Sequence, residues 1–221
     1  MNFDIKYFLN SFPDLLKYIH YTLFMAVVST IIGLVIATIL APIKMLKIKG
    51  ISQVIGVYIS FFRGTPLLVQ LFVFYYGLPQ LIKPLKSVTP LEAMIFGLSL
   101  CGSAYMAEII RGAIDSVEKG QMEAALSVGM TKFQAFIRII YPQALKVAVP
   151  GIGNQFVDLL KSSSLAFVLG LTEILARAQA NAASSFKLME SYLSLAIIYW
   201  VTVEIFNFIQ RIIEKRISRA Y

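Results

Sequence analysis

Apolar residues in this chain come in long runs, and five of those runs approach the length of about twenty residues that a helix needs to cross a bilayer core. Only helices and closed barrels satisfy every backbone group there, so the pattern predicts an all-α integral membrane protein with a single transmembrane domain over residues 1–221. The first span is expected at about 15–40, ending before Ala41-Pro42 and the basic cluster Lys44, Lys47 and Lys49, with Pro42 as its stop. The second is expected at about 52–82; it contains Arg63-Gly64-Thr65-Pro66, and Pro66, lacking a backbone donor, should kink it. The third is expected at about 90–111, the fourth at about 144–171 with a break at Pro150-Gly151, and the fifth at about 192–210. Between the third and fourth, about 112–143, lies a polar stretch rich in Ala and Gly.

Composition agrees: 58% of the 221 residues are hydrophobic and 14% charged, with a mean hydropathy of +0.75. The formal charge of +8 does not point to nucleic acid, because the basic residues cluster in loops beside apolar runs and are not interleaved with aromatics. That is the signature of topology. Thirteen Lys and Arg follow spans one, three and five or lie beside them, six lie on the other side, and Lys161 lies within a span. The N-terminus is therefore expected outside and the C-terminus and the 112–143 loop in the cytoplasm. Cys101, the one cysteine, lies in an apolar run and suggests neither a disulfide framework nor a thiolate metal site. No cleaved signal peptide is evident in the first residues.

Within the loop, Glu123-Ala124-Ala125, three residues, Gly129, nine residues, then Ile139-Ile140-Tyr141-Pro142 form a spaced motif. The small residues give a short helix a side that another protein's walls can approach, and Glu123 near its start can accept a partner's Arg or Lys. The spacing resembles the EAA loop of bacterial ABC importer membrane subunits. Phe62-Arg63-Gly64-Thr65-Pro66-Leu67-Leu68-Val69-Gln70, Tyr75-Tyr76-Gly77-Leu78-Pro79 and Ala107-Glu108-Ile109-Ile110-Arg111-Gly112-Ala113-Ile114 extend the resemblance to the polar and basic amino-acid permeases of that group. It departs at Tyr141, where Leu is usual, and at Asp158, where an apolar residue is more common.

The resemblance implies a permease of the bacterial cytoplasmic (inner) membrane whose Glu123, Ala124, Ala125 and Gly129 couple to a cytoplasmic ABC ATPase dimer. It also implies an external solute-binding protein, an amino-acid substrate and a second permease chain, identical or closely homologous. ATP and Mg would bind the ATPase, and this chain would hold no cofactor. The residues agree, since neither Lys86-Ser87 nor Lys161-Ser162 follows the glycine pattern of a P-loop, and a lone His20 makes no metal pair. No catalytic site is expected.

Charges inside a span cost about 2.5 to 3.5 kcal/mol on insertion scales and are usually functional or paired. Asn154, Asp158 and Lys161 fall on one face of the fourth span, as Gly97, Cys101, Ala104, Glu108 and Arg111 do on the third. Structural pairing accounts for Glu108 with Arg111 and offers one reading of Asp158 with Lys161. The other reading makes Asp158 a ligand for substrate, with Asn154, Lys161 and Ser162 at its polar ends, room near Gly102-Ser103, and negative field from Glu108. Basic amino acids such as arginine, lysine or histidine rank first on that reading and glutamine-like ones second. A secondary transporter carrying protons on Glu108 and Asp158 is the alternative from another class, and it leaves the Glu123 loop unexplained. A structural or assembly membrane protein is the third.

Overall fold

A computed structural model describes residues 3–219. Among them the chain is helical throughout: α1 (Ile5–Leu16), α2 (Ile19–Met45), α3 (Ile51–Gly64), α4 (Leu67–Leu81), α5 (Pro90–Asp115), α6 (Lys119–Ser127), α7 (Lys132–Leu169), α8 (Ile174–Ser185) and α9 (Leu188–Arg219). Helices α2, α5, α7 and α9 are long and apolar enough to cross a membrane; α3 and α4 together make a fifth candidate, bent by 108° between them. The end of the bundle that carries α6 is called the loop end below, and the opposite one the far end.

Proline does less to the long helices than the sequence suggests. Pro42 lies inside α2, whose last turn closes on it, Leu46 donating its N–H to the Pro42 carbonyl at 3.0 Å. So close to a helix end a missing donor costs one bond and no downstream helix. The stop comes from left-handed backbone beyond, at Lys47 (φ 52°) and Gly50 (φ 87°). Pro150-Gly151 likewise does not break α7, and Gly151 serves contact instead, because a Cβ there would sit 2.7 Å from Cγ2 of Ile109 on α5. Two other prolines are accommodated by wide π turns placed just ahead of them, Val73–Gly77 before Pro79 and Phe136–Ile140 before Pro142. There an α ladder would want an N–H that proline lacks.

Helix α5 is the hub. Thr89 and Glu92 form a reciprocal capping box at its start, and Met94, Leu98, Met106 and Ile110 along it are fully buried. At Gly33, α2 comes so near that an added Cβ would lie 3.2 Å from the Ser99 carbonyl oxygen and 3.3 Å from the Ser103 nitrogen. Small residues let spanning helices approach in this way, where van der Waals contact has to replace the hydrophobic effect.

At the bend between α3 and α4 the ladder is interrupted and carbonyls are freed. Gln70, buried one turn into α4, answers them: its Nε2 lies 3.0 Å from the carbonyls of Phe62 and Thr65 and from the Thr65 hydroxyl. Replacing Gln70 by Leu should leave the Thr65 carbonyl without this donor and Phe62 with only the weak Cys101 thiol at 3.8 Å, at a cost of about 1 to 3 kcal/mol in all. A lower midpoint in thermal unfolding in detergent, with faster proteolysis at residues 63–66, is the expected result; an unchanged midpoint would show that water serves those carbonyls equally well.

Candidate coupling and translocation site

The loop helix α6 leaves Glu123 and Ala124 exposed and turns Ala125 inward. It ends in a Schellman motif: Met130 N–H donates to the Ala125 carbonyl (3.1 Å), and Gly129 N–H to that of Leu126 (3.0 Å). Gly129 has φ 85°, and a Cβ built there meets nothing within 4 Å. Within this chain, then, its glycine is required by left-handed backbone and not by a tight neighbour. Thr131 then starts α7 through a capping box with Gln134. Gln143 on α7 reaches back to Gln121 at 3.3 Å, tying α6 to the long helix that follows it.

Among polar residues such as Lys119, Gln121 and Lys132, the tip also exposes large apolar side chains. Val128 is 75% exposed and Phe133 74%, and Leu126 also faces outward. Among the described residues the Glu123 carboxylate forms no ion pair. A tip that exposes an acid and several large apolar side chains is suited to a protein partner. The EAA spacing pointed to Glu123, whereas Val128 and Phe133 carry no signal in a sequence where apolar residues are everywhere. Beside the tip, a cavity of about 850 Å³ opens between the end of α2 and the first turns of α7, lined by Pro42, Met45, Val117, Met122, Phe136 and Tyr141 among others.

Glu108 lies where α5 nears the loop end, and three helices supply it with cations. Lys44 of α2 donates at 2.7 Å, Arg111 of α5 donates through Nε (3.2 Å) and Nη2 (3.1 Å), and Arg63 at the end of α3 stands 3.6 Å away. Arg111 also grips Asp115 at 2.7 Å. The pairing with Arg111 was legible from i,i+3 spacing; Lys44 and Arg63 were not, because no local spacing links them to residue 108. With its side chain only 18% exposed, Glu108 holds the ends of α2, α3 and α5 together.

Ser103 is fully buried, its hydroxyl 2.7 Å from Tyr58 OH and donating to the Leu100 carbonyl at 2.8 Å. Leu159 fills the space beside Gly102, where a Cβ would lie 3.0 Å from its Cδ1. In this conformation the small-residue stripe of α5 is packed against its neighbours.

Asn154, Asp158 and Lys161 share an exposed face of α7, with Ser162 half-buried beside it. Lys161 Nζ lies 2.9 Å from an Asp158 carboxylate oxygen, and the two side chains are 57% and 60% exposed. An ion pair on the open face of an apolar helix is costly against lipid, so this face belongs against water or another chain.

A helical membrane bundle with an exposed loop helix at one end and a charged strip along one long helix fits the membrane subunit of a transporter. Residues 29–219 match the family described as binding-protein-dependent transport system inner membrane component, and the chain belongs to it. It is similar to the probable amino-acid ABC transporter permease protein PatM of Vibrio harveyi, 48% identical over 221 residues that cover 100% of this chain and 99% of the other. It is 39% identical to the L-cystine transport system permease protein TcyL of Bacillus subtilis (98% and 92% covered). With the arginine transport system permease protein ArtQ of the same organism it shares 35% (99% and 99%). Among solved structures, the crystal structure of an amino acid ABC transporter with histidines superposes with a TM-score of 0.89 at 34% identity, covering 98% of this chain and 100% of that one. The chain is a multi-pass membrane permease subunit of an ABC amino-acid importer, and a transport subunit rather than an enzyme.

Proposed function

We propose that this permease carries basic amino acids by alternating access, with its far end outside the cell and its loop end in the cytoplasm. The asymmetry of basic residues supports the orientation. An ATPase dimer closing on ATP moves the two Glu123 loops of a permease pair, and α6, bonded to α7 through Gln121 and Gln143, passes that motion to the helix bearing Asp158. A solute-binding protein delivers substrate at the far end.

The exposed strip of Asn154, Asp158 and Lys161 is the observation that carries the substrate reading. A substrate with a cationic side chain displaces the Lys161 ammonium from Asp158, and the freed Lys161 takes the substrate carboxylate. Asn154 and the Ser162 hydroxyl complete the polar contacts. Ser103 and Glu108 act from behind, Ser103 by fixing α5 against Tyr58 and Glu108 by its negative field. A relative named for arginine and a similar transporter solved with histidines agree with this reading. A second reading, glutamine-like or other neutral substrates, is favoured by the net neutrality of the Asp158–Lys161 pair and by the relative named for L-cystine.

The test is uptake into vesicles containing the permease with its ATPase. Arginine uptake should need ATP on the ATPase side, persist when ion gradients are collapsed, and be outcompeted by lysine and histidine more than by glutamine. Uptake that follows an ion gradient and ignores ATP would end the ATP-driven reading. Competition by glutamine or cystine alone would end the basic one.

A further inference from the structure

Glu204 stands near the middle of α9, a helix long and apolar enough to cross the membrane, and its side chain is exposed. Among the described residues it forms no ion pair, and it accepts one bond, from Asn207 Nδ2 at 3.4 Å. Trp200, Val201, Ile205 and Phe208 are exposed around it, and together they line a cleft of about 310 Å³. A carboxylate left bare to lipid at such a depth is costly, and charges placed there are paired or functional.

Helix α9 packs on α7 through Phe206, stacked on Phe156 with ring centroids 4.2 Å apart, and through Gln210, whose amide covers Gly153. At about 100° per residue, Glu204 lies roughly 160° round α9 from Phe206 and points away from α7. By the same count Lys161 lies roughly 140° round α7 from Phe156 and points away from α9. The two therefore cannot pair within one chain. The same contacts fix the register of this antiparallel pair. Two residues from each stacked ring toward the far end, Glu204 comes level with Asp158, and Lys161 stands about 3 to 5 Å further along. The nearest Lys or Arg on α9 itself is Arg211, about 10 Å toward the loop end.

A two-fold axis along the membrane normal leaves depth unchanged, so outward side chains at one level can meet across it. We propose that the outer face of α9 packs against α7 of a second copy of this chain, where Glu204 pairs with that copy's Lys161 and completes the substrate site from across the interface. Symmetry forms the contact twice, and Trp200, Val201, Ile205 and Phe208 supply its apolar surround. An ammonium carries three donors, so Lys161 holds this second carboxylate together with Asp158 or with a substrate carboxylate. The inference rests on the permease pair and on the strip of Asp158 and Lys161 as the substrate site, and it decides the charge of that site. Asp158 with Lys161 alone is neutral. With Glu204 added, one ammonium stands against two carboxylates, and the net negative charge is neutralised by a basic amino acid and left uncompensated by glutamine.

The test replaces Cys101, the one cysteine, by Ala and introduces Lys161→Cys with Glu204→Cys in the full chain, assembled with its ATPase in nanodiscs. Mild oxidation should link the chains into covalent pairs on a non-reducing gel, while either single-cysteine chain stays largely unlinked. A double-cysteine chain that assembles but stays unlinked would leave the α9 face to lipid or to a different subunit and overturn the interface. Charge is read separately by uptake into vesicles. Glu204→Gln should lower arginine uptake roughly ten-fold relative to glutamine uptake. Glu204→Lys should block arginine uptake, and adding Lys161→Glu, which restores the same net charge, should recover it in part. An unchanged arginine-to-glutamine ratio in Glu204→Gln, or no recovery in the exchanged pair, would overturn the role of Glu204 in the site. Linking reads geometry whatever the substrate, so a wild-type chain that links at these positions yet prefers glutamine to arginine would end the basic-substrate reading and leave the interface standing.

Discussion

Reversing the charge at Glu123 to Arg is expected to abolish ATP-driven uptake while the chain still inserts and pairs. Its carboxylate is exposed on α6 and makes no ion pair among the described residues, so nothing inside the chain depends on it. On the docking role proposed above, what it loses is the partner. Removing one member of a desolvated charge pair at an interface costs about 2 to 5 kcal/mol, and reversing it adds repulsion. A drop of at least 30-fold in the affinity of the ATPase for the permease, measured by co-purification in detergent, should accompany the loss of uptake. Normal uptake by a well-expressed Glu123→Arg chain would remove the docking role. Gly129 gives a second measure of the same contact. Gly129→Ala carries only the strain of a side chain in left-handed backbone, about 1 to 2 kcal/mol, because the space around a Cβ there is empty in this chain. Gly129→Leu carries that strain plus whatever a partner wall imposes. If Leu blocks uptake and Ala does not, the wall is there; equal effects would reduce Gly129 to a helix terminator.

Asp158→Asn should weaken transport of arginine roughly ten- to a hundred-fold more than that of glutamine. The substitution keeps the shape of the side chain and its place on α7, so insertion and packing are unaffected at an exposed position. A cationic side chain loses a charged acceptor, a loss of about 1.5 to 3 kcal/mol, whereas a neutral side chain loses none. Lys161 is the control within the same pair. With Asp158 neutralised, Lys161 is released from its 2.9 Å partner and is free for a substrate carboxylate, so glutamine uptake should hold or rise. Equal losses for both substrates would make Asp158 an internal partner of Lys161 and nothing more.

How far the sequence reaches into this protein is set by the range of the interactions involved. The long apolar helices were legible because a backbone in lipid has only internal partners, so run length nearly decides the element. The start of α5 near Pro90 and the charged face of α7 followed from rules that act within a turn or two. The loop motif was legible for a different reason: its small and polar residues, with Glu123 and Ala124 exposed on α6, stand out between two long apolar runs.

Short helices held by tertiary bonds were not legible. Nothing in the runs marked α1 or α8, and Leu15, read as the start of a span, instead packs at the end of α1 against Ile174, Leu195 and Ile198. Pro42 and Pro150 misled in the same way, one lying too close to the end of α2 to stop it and the other held within α7, whereas Pro66 marks the 108° bend between α3 and α4 as expected. Likewise the volume expected beside Gly102 and Ser103 is taken by Leu159 and Tyr58, which come from other helices. The sequence by itself determined that the chain crosses a membrane as helices, which polar loop stands outside the long apolar helices, and which carboxylates lie on which helix face. Tertiary structure alone decided that Glu108 is held by Lys44 and Arg63 as well as Arg111, that the α3–α4 bend closes on Gln70, and that α1 packs along the first turns of α9. Those depend on which helix stands beside which, and each is a contact whose partners lie in different helices or across a sharp bend that spacing rules do not reach.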